Sequence, residues 1–147
     1  MIEGFETIAW TARGGVRLLD QTRLPAEEAY VECHTVEEVA HAIRTLMVRG
    51  APAIGIAGAM GLALGARAVA AADFDGYYAA LERIGDRLVA TRPTAVNLAW
   101  AIRRLLQVAR KMRDLPLPEI TARLQAEAAR MREEDLASNR AIGAHGA

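Results

Sequence analysis

The spacing of apolar residues changes near residue 35, from the alternation typical of strands to the wider spacing typical of helices. Before that point, short apolar segments predict three strands, at 5–11, 16–20 and 29–33. Gly14 and Gly15 separate the first two segments, and such a pair favours a hairpin turn because glycine adopts positive φ without steric cost. We therefore expect a small antiparallel sheet, one face of which must be covered by helices.

Five helices are predicted in the remainder of the chain. The first begins after Thr35, whose hydroxyl has the spacing of a capping box with Glu38, and it ends near Arg49. Proline positions, helical periodicity and a candidate cap at Asp73 predict the other four. They are expected at about 52–72, 74–89, 93 or 94 to 113, and 119–139. The fold class is therefore α+β, with a small N-terminal antiparallel β-meander followed by a mostly helical bundle.

Composition and charge exclude several classes of protein. The chain has 147 residues, about the length of one domain, and its 18 basic and 18 acidic side chains give a formal net charge of zero. A balanced charge argues against a nucleic-acid-binding protein and against a protein that binds anionic membranes. The longest uncharged run, 51–66, is shorter than the roughly 18–20 residues that span a bilayer. We therefore expect this run to form a buried helix of a soluble protein.

The single cysteine, Cys33, excludes a disulfide framework and a multi-cysteine metal site within the chain. Cys33 and His34 are adjacent on a predicted strand, so their side chains point to opposite faces and cannot share a metal ion. We expect Cys33 to be a buried free thiol. The N-terminal residues lack the basic segment and apolar core of a signal peptide, which predicts a cytoplasmic protein.

Two predicted helix starts share one arrangement, an arginine followed by a proline. Arg49 lies shortly before Pro52, and Arg92 lies directly before Pro93. Helix N-termini carry unpaired N–H groups and a partial positive charge, so a cation there is unfavourable unless an anion joins it. Gly50 allows the backbone to approach such an anion closely. These residues predict a phosphate or carboxylate site.

The alternative interpretation is two ordinary helix starts. In that case both arginines point to solvent and Gly50 only ends the preceding helix. In either case, Thr91 or Thr94 is expected to cap the later helix. Two arginine-bearing helix starts in one small domain favour the first interpretation, in which they converge on a single anion.

Four glycines recur on about one face of the second predicted helix, at 55, 58, 61 and 65. A glycine in a helix interior costs up to about 1 kcal/mol relative to alanine. We expect close approach of another backbone to offset this cost. The spacing matches neither a dinucleotide-binding fingerprint nor a Walker loop.

Charged residues in the last predicted helix are spaced three and four apart, at Arg123, Glu127, Arg130 and Glu134. This spacing predicts ion pairs along a solvated helix face. The sequence contains no complete nucleophilic site, acid–base pair or metal cluster. Taken alone, the residues therefore favour a small anionic ligand and do not identify it.

Three segments resemble, in family order, motifs of the methylthioribose-1-phosphate isomerase family of the methionine salvage pathway. They are DQTRLP at 20–25, VRGAPAIG at 48–55 and TRPTAVNL at 91–98. This family is related to the regulatory subunits of the exchange factor of translation initiation, and the resemblance covers essentially the whole chain. It implies isomerisation of methylthioribose 1-phosphate to methylthioribulose 1-phosphate, with no metal or organic cofactor. It also implies a homodimer.

The resemblance implies that Arg49, Gly50, Ala51 and Arg92 hold the sugar phosphate. Members of the family are longer, and their catalytic cysteine and aspartate lie in a second, Rossmann-like domain. Cys33 does not match the context of that cysteine, so we assign no catalytic residue in this chain. We expect residues 1–140 to form the N-terminal α+β domain and the Gly-rich tail, 141–147, to begin a loop that links it to the second domain.

Three alternatives remain open. One is an isomerase of another pentose 1-phosphate, such as a deoxyribose phosphate or ribose bisphosphate. A second is a non-catalytic regulatory relative that binds a nucleotide or sugar phosphate, although Arg49 and Arg92 argue against it. The third is a helical interaction domain that uses the glycine-marked helix as its interface.

Overall fold

The N-terminal part of the chain forms an antiparallel meander, as predicted. The computed structural model describes residues 8–20, 29–45 and 51–146. Within these ranges the strands are β1 (Ile8–Trp10), β2 (Val16–Leu19) and β3 (Tyr30–Cys33). They pair in the order β1-β2-β3. The first predicted strand began earlier, at residue 5, but residues 5–7 lie outside the described ranges.

The turn between β1 and β2 explains the glycine pair. Gly14 has a φ of 82°, which glycine adopts without the steric cost that a Cβ atom brings. The N–H of Thr11 donates to the carbonyl of Gly15 at 2.9 Å. In return, the N–H of Gly15 donates to the Thr11 hydroxyl at 3.0 Å. These bonds close the hairpin and hold the register of β1 on β2.

One face of the sheet packs against the helices. Ile8 pairs with Leu18, and Val16 pairs with both Trp10 and Cys33, so the apolar side chains of three strands share a face. Val16, Leu18 and Cys33 are fully buried there. The helices supply the cover that a sheet of this size requires.

The described residues also form five helices, α1 (Val36–Arg44), α2 (Ala51–Ala66), α3 (Phe74–Val89), α4 (Val96–Lys111) and α5 (Leu117–Gly146). Two predicted caps are confirmed. The N–H of Glu38 donates to the Thr35 hydroxyl at 3.1 Å, and the N–H of Gly76 donates to the Asp73 carboxylate at 2.9 Å. The Glu38 side chain accepts from the N–H of His34 at 2.8 Å, which completes the cap of α1 one residue earlier than the predicted pairing.

The uncharged helix α2 lies at the centre of the molecule. It packs against the other four helices and against β1 and β2. Nearly all of its side chains are buried from Ile54 to Ala66, including Met60 and Leu62. A helix that is apolar all round is stable only inside a protein or a membrane, and here the neighbouring helices surround it. No helix within 8–20, 29–45 and 51–146 is long and apolar enough to cross a bilayer.

The glycines of α2 are positions of close packing, as predicted. A Cβ atom at Gly58 would collide with the side chain of Leu98 in α4. At Gly61 it would lie 2.9 Å from Val39, and at Gly65 it would lie 2.5 Å from Val36. The predicted approach of another backbone is wrong at these three glycines, because the neighbouring atoms belong to side chains. The side chains come from α4 along the first half of α2 and from α1 and α3 along the second half.

Three helix boundaries differ from the prediction before residue 100. Helix α1 ends at Arg44, with Thr45 as its C-cap, and not near Arg49. Helix α2 ends at Ala66 and not near Ala72. Although alanine favours helix, the chain leaves it there, and Val69 and Ala71 pack against the core. Helix α4 begins at Val96 and not at 93 or 94, since Pro93 occupies a turn in which the N–H of Ala95 donates to the carbonyl of Arg92 at 2.9 Å.

Both boundaries of the last helix also differ. Helix α5 begins at Leu117, two residues before the predicted start, because Pro118 fits the first turn, where its missing N–H is not needed. The carbonyl of Pro116 accepts from the N–H groups of Glu119 and Ile120. At its other end α5 continues to Gly146, so the loop predicted for the Gly-rich tail is wrong. The helix crosses the predicted domain boundary at 140 without interruption.

Candidate anion-binding site

The starts of α2 and α4 lie side by side. A Cβ atom at Gly55, in the second turn of α2, would be 3.0 Å from the carbonyl oxygen of Asn97, in the first turn of α4. At Gly58 the neighbours are Leu98 and Ile102, so the contacts advance in the same direction along both helices. The two N-termini therefore lie on the same side of the molecule. Their partial positive charges add there.

These two helix starts lack the acidic residues that the other helices carry. The first turn contains Glu37 and Glu38 in α1, Asp75 in α3 and Glu119 in α5. Among the described residues, the first turns of α2 and α4 contain no acidic side chain. Acidic side chains near an N-terminus neutralise the helix dipole and accept from its free N–H groups. An external anion can take that role at α2 and α4.

The start of α4 also lacks a side-chain cap, contrary to prediction. Its N-cap residue, Ala95, makes no side-chain hydrogen bond. The Thr91 hydroxyl instead donates to the carbonyl of Leu88 at 2.6 Å, and Thr94 is exposed. The first N–H groups of α4 are therefore available to a ligand.

Arg92 lies in the turn that leads into α4. Its N–H donates to the carbonyl of Val89 at 3.1 Å, which fixes the backbone, and its side chain is half-buried. Within the described parts of the chain, its guanidinium has no hydrogen-bond or ion-pair partner. Ala51 is the first residue of α2. Arg49 and Gly50 lie outside the described residues, so their part in the site stays a prediction.

A groove with a volume of about 530 Å³ adjoins the two helix starts. It is lined by Pro52, Gly55, Ile56, Val96, Asn97, Trp100, Arg104, Met131, Glu134 and Asp135. Val96 is 75% exposed and Trp100 is 50% exposed, unusual values for large apolar side chains. The sequence reasoning missed this groove. A pair of apolar residues four apart, outside the buried stripe of α4, was the signal that could have indicated it.

Arg104 joins α4 to α5 at the far end of the groove. Its guanidinium donates to Glu127 at 2.7 Å and to both oxygens of Glu134, at 2.9 and 3.0 Å. These hydrogen bonds lower the pKa of Glu134 below its ordinary value. The ion pairs of Arg130 with Glu127 and Glu134 follow the predicted spacing. The predicted solvated face is wrong at Glu127, whose side chain is only 17% exposed and accepts a hydrogen bond from Arg104.

Cys33 and His34 lie apart from the groove and do not form a site together. Cys33 is a buried free thiol, as predicted, and burial together with the negative charge of Glu38 raises its pKa to about 11. His34 is exposed and pairs with Glu32 at 3.1 Å. In the ranges that the structure describes, no group of three or more metal-ligating side chains could hold an ion.

Comparison with known proteins supports the resemblance found in the motifs. A model of the initiation factor 2 subunit family matches residues 47–147. Methylthioribose-1-phosphate isomerase from Geobacter sulfurreducens is 49% identical over 97% of this chain, and the protein of that name from Geobacter sp. strain M21 is 52% identical over the same share. The match covers 41% of each of these relatives, so the chain spans about two-fifths of their length.

Two solved structures share the fold. The crystal structure of 5-methylthioribose 1-phosphate isomerase from Pyrococcus horikoshii OT3 matches with a TM-score of 0.82 and 36% identity, over 90% of this chain and 37% of that one. The crystal structure of translation initiation factor eIF-2B, subunit delta, from A. fulgidus matches with a TM-score of 0.81 and 43% identity, over 90% and 38%. An enzyme and a protein named as a subunit therefore share this arrangement of helices.

Proposed function

The chain belongs to the initiation factor 2 subunit family, and we propose that it is the N-terminal, phosphate-binding part of a methylthioribose-1-phosphate isomerase. One observation carries the proposal. The first turns of α2 and α4 lie together and contain no acidic residue, unlike those of the other described helices. Such a place suits the phosphate of a sugar phosphate.

The phosphate is held by backbone N–H groups and by arginine in this proposal. Arg92, whose guanidinium is unpaired among the described side chains, donates to the phosphate oxygens from the turn before α4. Arg49, Gly50 and Ala51 complete the site from the start of α2. Both arginines remain charged at every physiological pH, so the site favours the dianionic phosphate.

The remaining part of a longer protein supplies the chemical step. Converting an aldose to a ketose moves a hydrogen between C1 and C2, which requires an acid–base pair or a path for hydride. We assign neither role to a residue of this chain. Because the chain covers 41% of the length of its named relatives, we place the catalytic cysteine and aspartate of the family in a second domain. This chain then binds and orients the phosphate end of the substrate.

Further features are proposed with the function. We expect the domain boundary near residue 140, a homodimer, a cytoplasmic location and no metal or organic cofactor. An isomerase of a different pentose 1-phosphate would use the same phosphate site. Residues of the protein outside the phosphate site therefore have to distinguish the substituent at C5 of the sugar.

A non-catalytic binding subunit is the second candidate function. The similarity to eIF-2B subunit delta, at 43% identity, favours it. Such a protein would bind a sugar phosphate or nucleotide at the same helix starts without converting it. Both candidate proteins would bind a ligand at the helix starts, but only the isomerase would convert it to a product.

The test is an assay of the full-length protein with methylthioribose 1-phosphate, followed by proton and phosphorus NMR. We expect the aldose signals to be replaced by those of methylthioribulose 1-phosphate, with no added metal or cofactor. Binding without conversion, measured by calorimetry, would support the binding subunit instead. Neither binding nor conversion would contradict the isomerase and a subunit that binds this sugar phosphate, and calorimetry with a nucleotide then tests the nucleotide-binding form of the second candidate.

A further inference from the structure

We propose that a pocket at the end of α2 binds a small monocarboxylate with an aliphatic tail. The pocket has a volume of about 600 Å³, within the range of small-molecule sites, and it lies between the end of α2, the first turn of α3 and the first turns of α5. Helix α2 has 16 residues, or about 24 Å, so the pocket lies a helix length away from the candidate anion site at its start. The proposal therefore does not depend on the proposed function.

Arg67 supplies the only charged side chain among the described residues that line this pocket. Its guanidinium donates to the carbonyl of Gly14 and lies over the ring of Trp10, with the Cζ atom 5.8 Å from the ring centroid. These two contacts hold the side chain in place at the edge of the pocket. A guanidinium has five N–H donors, and the hydrogen bond to Gly14 leaves the others available to a ligand.

The charges around the pocket favour a ligand with one negative charge. The last residue of α2, Ala66, and the first two residues of α5, Leu117 and Pro118, all line it. The partial negative charge at the end of α2 and the partial positive charge at the start of α5 oppose each other. The full charge of Arg67 therefore decides the sign, and it matches one carboxylate, with which a guanidinium pairs well.

Two hydroxyl groups add a hydrogen-bond donor to the same pocket. Tyr77 Oη and Thr121 Oγ1 are 2.7 Å apart, and the hydrogen bond between them uses one of their two hydrogens. The second hydrogen has no acceptor among the described residues, although Tyr77 is only 1% exposed. Burial raises the pKa of Tyr77, so the phenol keeps its proton at neutral pH. A carboxylate oxygen in the pocket would accept this hydrogen, which is costly to leave unpaired.

Most of the remaining lining is apolar and suits the tail of the ligand. It consists of Ala66, Val69, Ala70, Ala71, Leu117, Pro118 and Ala122. Each methylene group buried against such a surface strengthens binding roughly fourfold. A ligand that combines a carboxylate with an aliphatic tail therefore uses both parts of the pocket.

The test titrates the full-length protein with three probes, followed by saturation-transfer NMR, which detects weak ligands. The probes are hexanoate, hexan-1-ol, which has the tail without the charge, and acetate, which has the charge without the tail. We expect hexanoate to bind at least tenfold more tightly than either of the other two. Absence of hexanoate binding, or equal binding of hexan-1-ol, would overturn the proposal.

A pair of variants locates the bound hexanoate. Ala122 and Ala126 are exposed alanines one turn apart in α5, and of the two Ala122 lines the pocket whereas Ala126 does not. Ala122→Phe fills the pocket and should weaken hexanoate binding at least tenfold. Ala126→Phe is the matched control and should change it less than twofold. Equal binding by these two variants would mean that hexanoate binds elsewhere.

A second pair of variants tests the charge. Arg67→Gln should weaken hexanoate binding tenfold or more and change hexan-1-ol binding less than twofold. Arg92→Gln, which alters the arginine near the opposite end of α2, should leave hexanoate binding unchanged. The reverse result would place hexanoate at the candidate anion site and overturn the proposal. Should Arg67→Gln not fold, by circular dichroism, the comparison of Ala122→Phe with Ala126→Phe decides, since both substitutions are at exposed positions.

Discussion

Gly55 and Asn97 bring two helix starts into direct backbone contact, because any side chain at Gly55 would begin 3.0 Å from the Asn97 carbonyl oxygen. A backbone carbonyl in the first turn of a helix cannot rotate away as a side-chain methyl group can. The glycine therefore fixes the distance between the N-termini of α2 and α4. The anion site depends on that distance.

Gly55→Leu should push these two helix starts apart. Overpacking of this kind costs about 1–3 kcal/mol of unfolding free energy. The free energy is measured by chemical denaturation of the full-length protein. Gly76→Leu, at an exposed glycine of α3, is the matched control; it gains the same helix propensity and should raise stability by up to about 1 kcal/mol. Equal stability of Gly55→Leu and wild type would contradict the close contact.

Arg92→Ala should weaken substrate binding while the fold is preserved. A hydrogen bond to a charged group contributes about 1.5–3 kcal/mol, so the KM for methylthioribose 1-phosphate should rise roughly tenfold to a hundredfold. Little stability is lost, since the Arg92 guanidinium has no partner among the described residues. Arg103→Ala removes an exposed arginine from the same region and should leave KM unchanged. Wild-type kinetics in Arg92→Ala would mean that the phosphate binds elsewhere.

Glu134 should contribute to stability in a manner that depends on pH. Hydrogen bonds from Arg104 lower its pKa in the folded protein below the ordinary value of 4.5. Its contribution is therefore complete above pH 4.5 and disappears as pH falls through the lowered pKa. Because the side chain is 49% exposed, the effect should be below about 1 kcal/mol.

The pH dependence is measured as the stability difference between wild type and Glu134→Gln from neutral to acidic pH. We expect this difference to shrink below pH 4.5. The same substitution in an Arg104→Gln background is the control and should lose that pH dependence. An identical profile in both backgrounds would show that Arg104 is not the cause.

Local signals in the sequence predicted much of the fold. The caps at Thr35 and Asp73 and the turn at Gly14 depend on residues a few positions apart, and the structure confirms all three. The predicted start of α4 is too early because Pro93 fits both a helix start and a turn. Contacts over longer distances along the chain decide between them.

The candidate site is only partly predictable, because it also depends on contacts between residues far apart along the chain. The sequence indicates an anion at each helix start, and neither start reveals where the other lies. The contact of Gly55 with Asn97 joins residues 42 positions apart (97 minus 55), and the bonds from Arg104 to Glu127 and Glu134 join α4 to α5. Such contacts lower the exposure of Glu127 to 17%, and they bring residues of α2, α4 and α5 together around one groove. The spacing of residues within one helix does not show which other helices pack against it.

The most direct test of the central claim is a crystal structure of the full-length protein with methylthioribulose 1-phosphate bound. We expect the phosphate to accept hydrogen bonds from first-turn N–H groups of α2 and α4 and from the Arg92 guanidinium. A phosphate bound elsewhere, with the two helix starts open to solvent, would contradict the account.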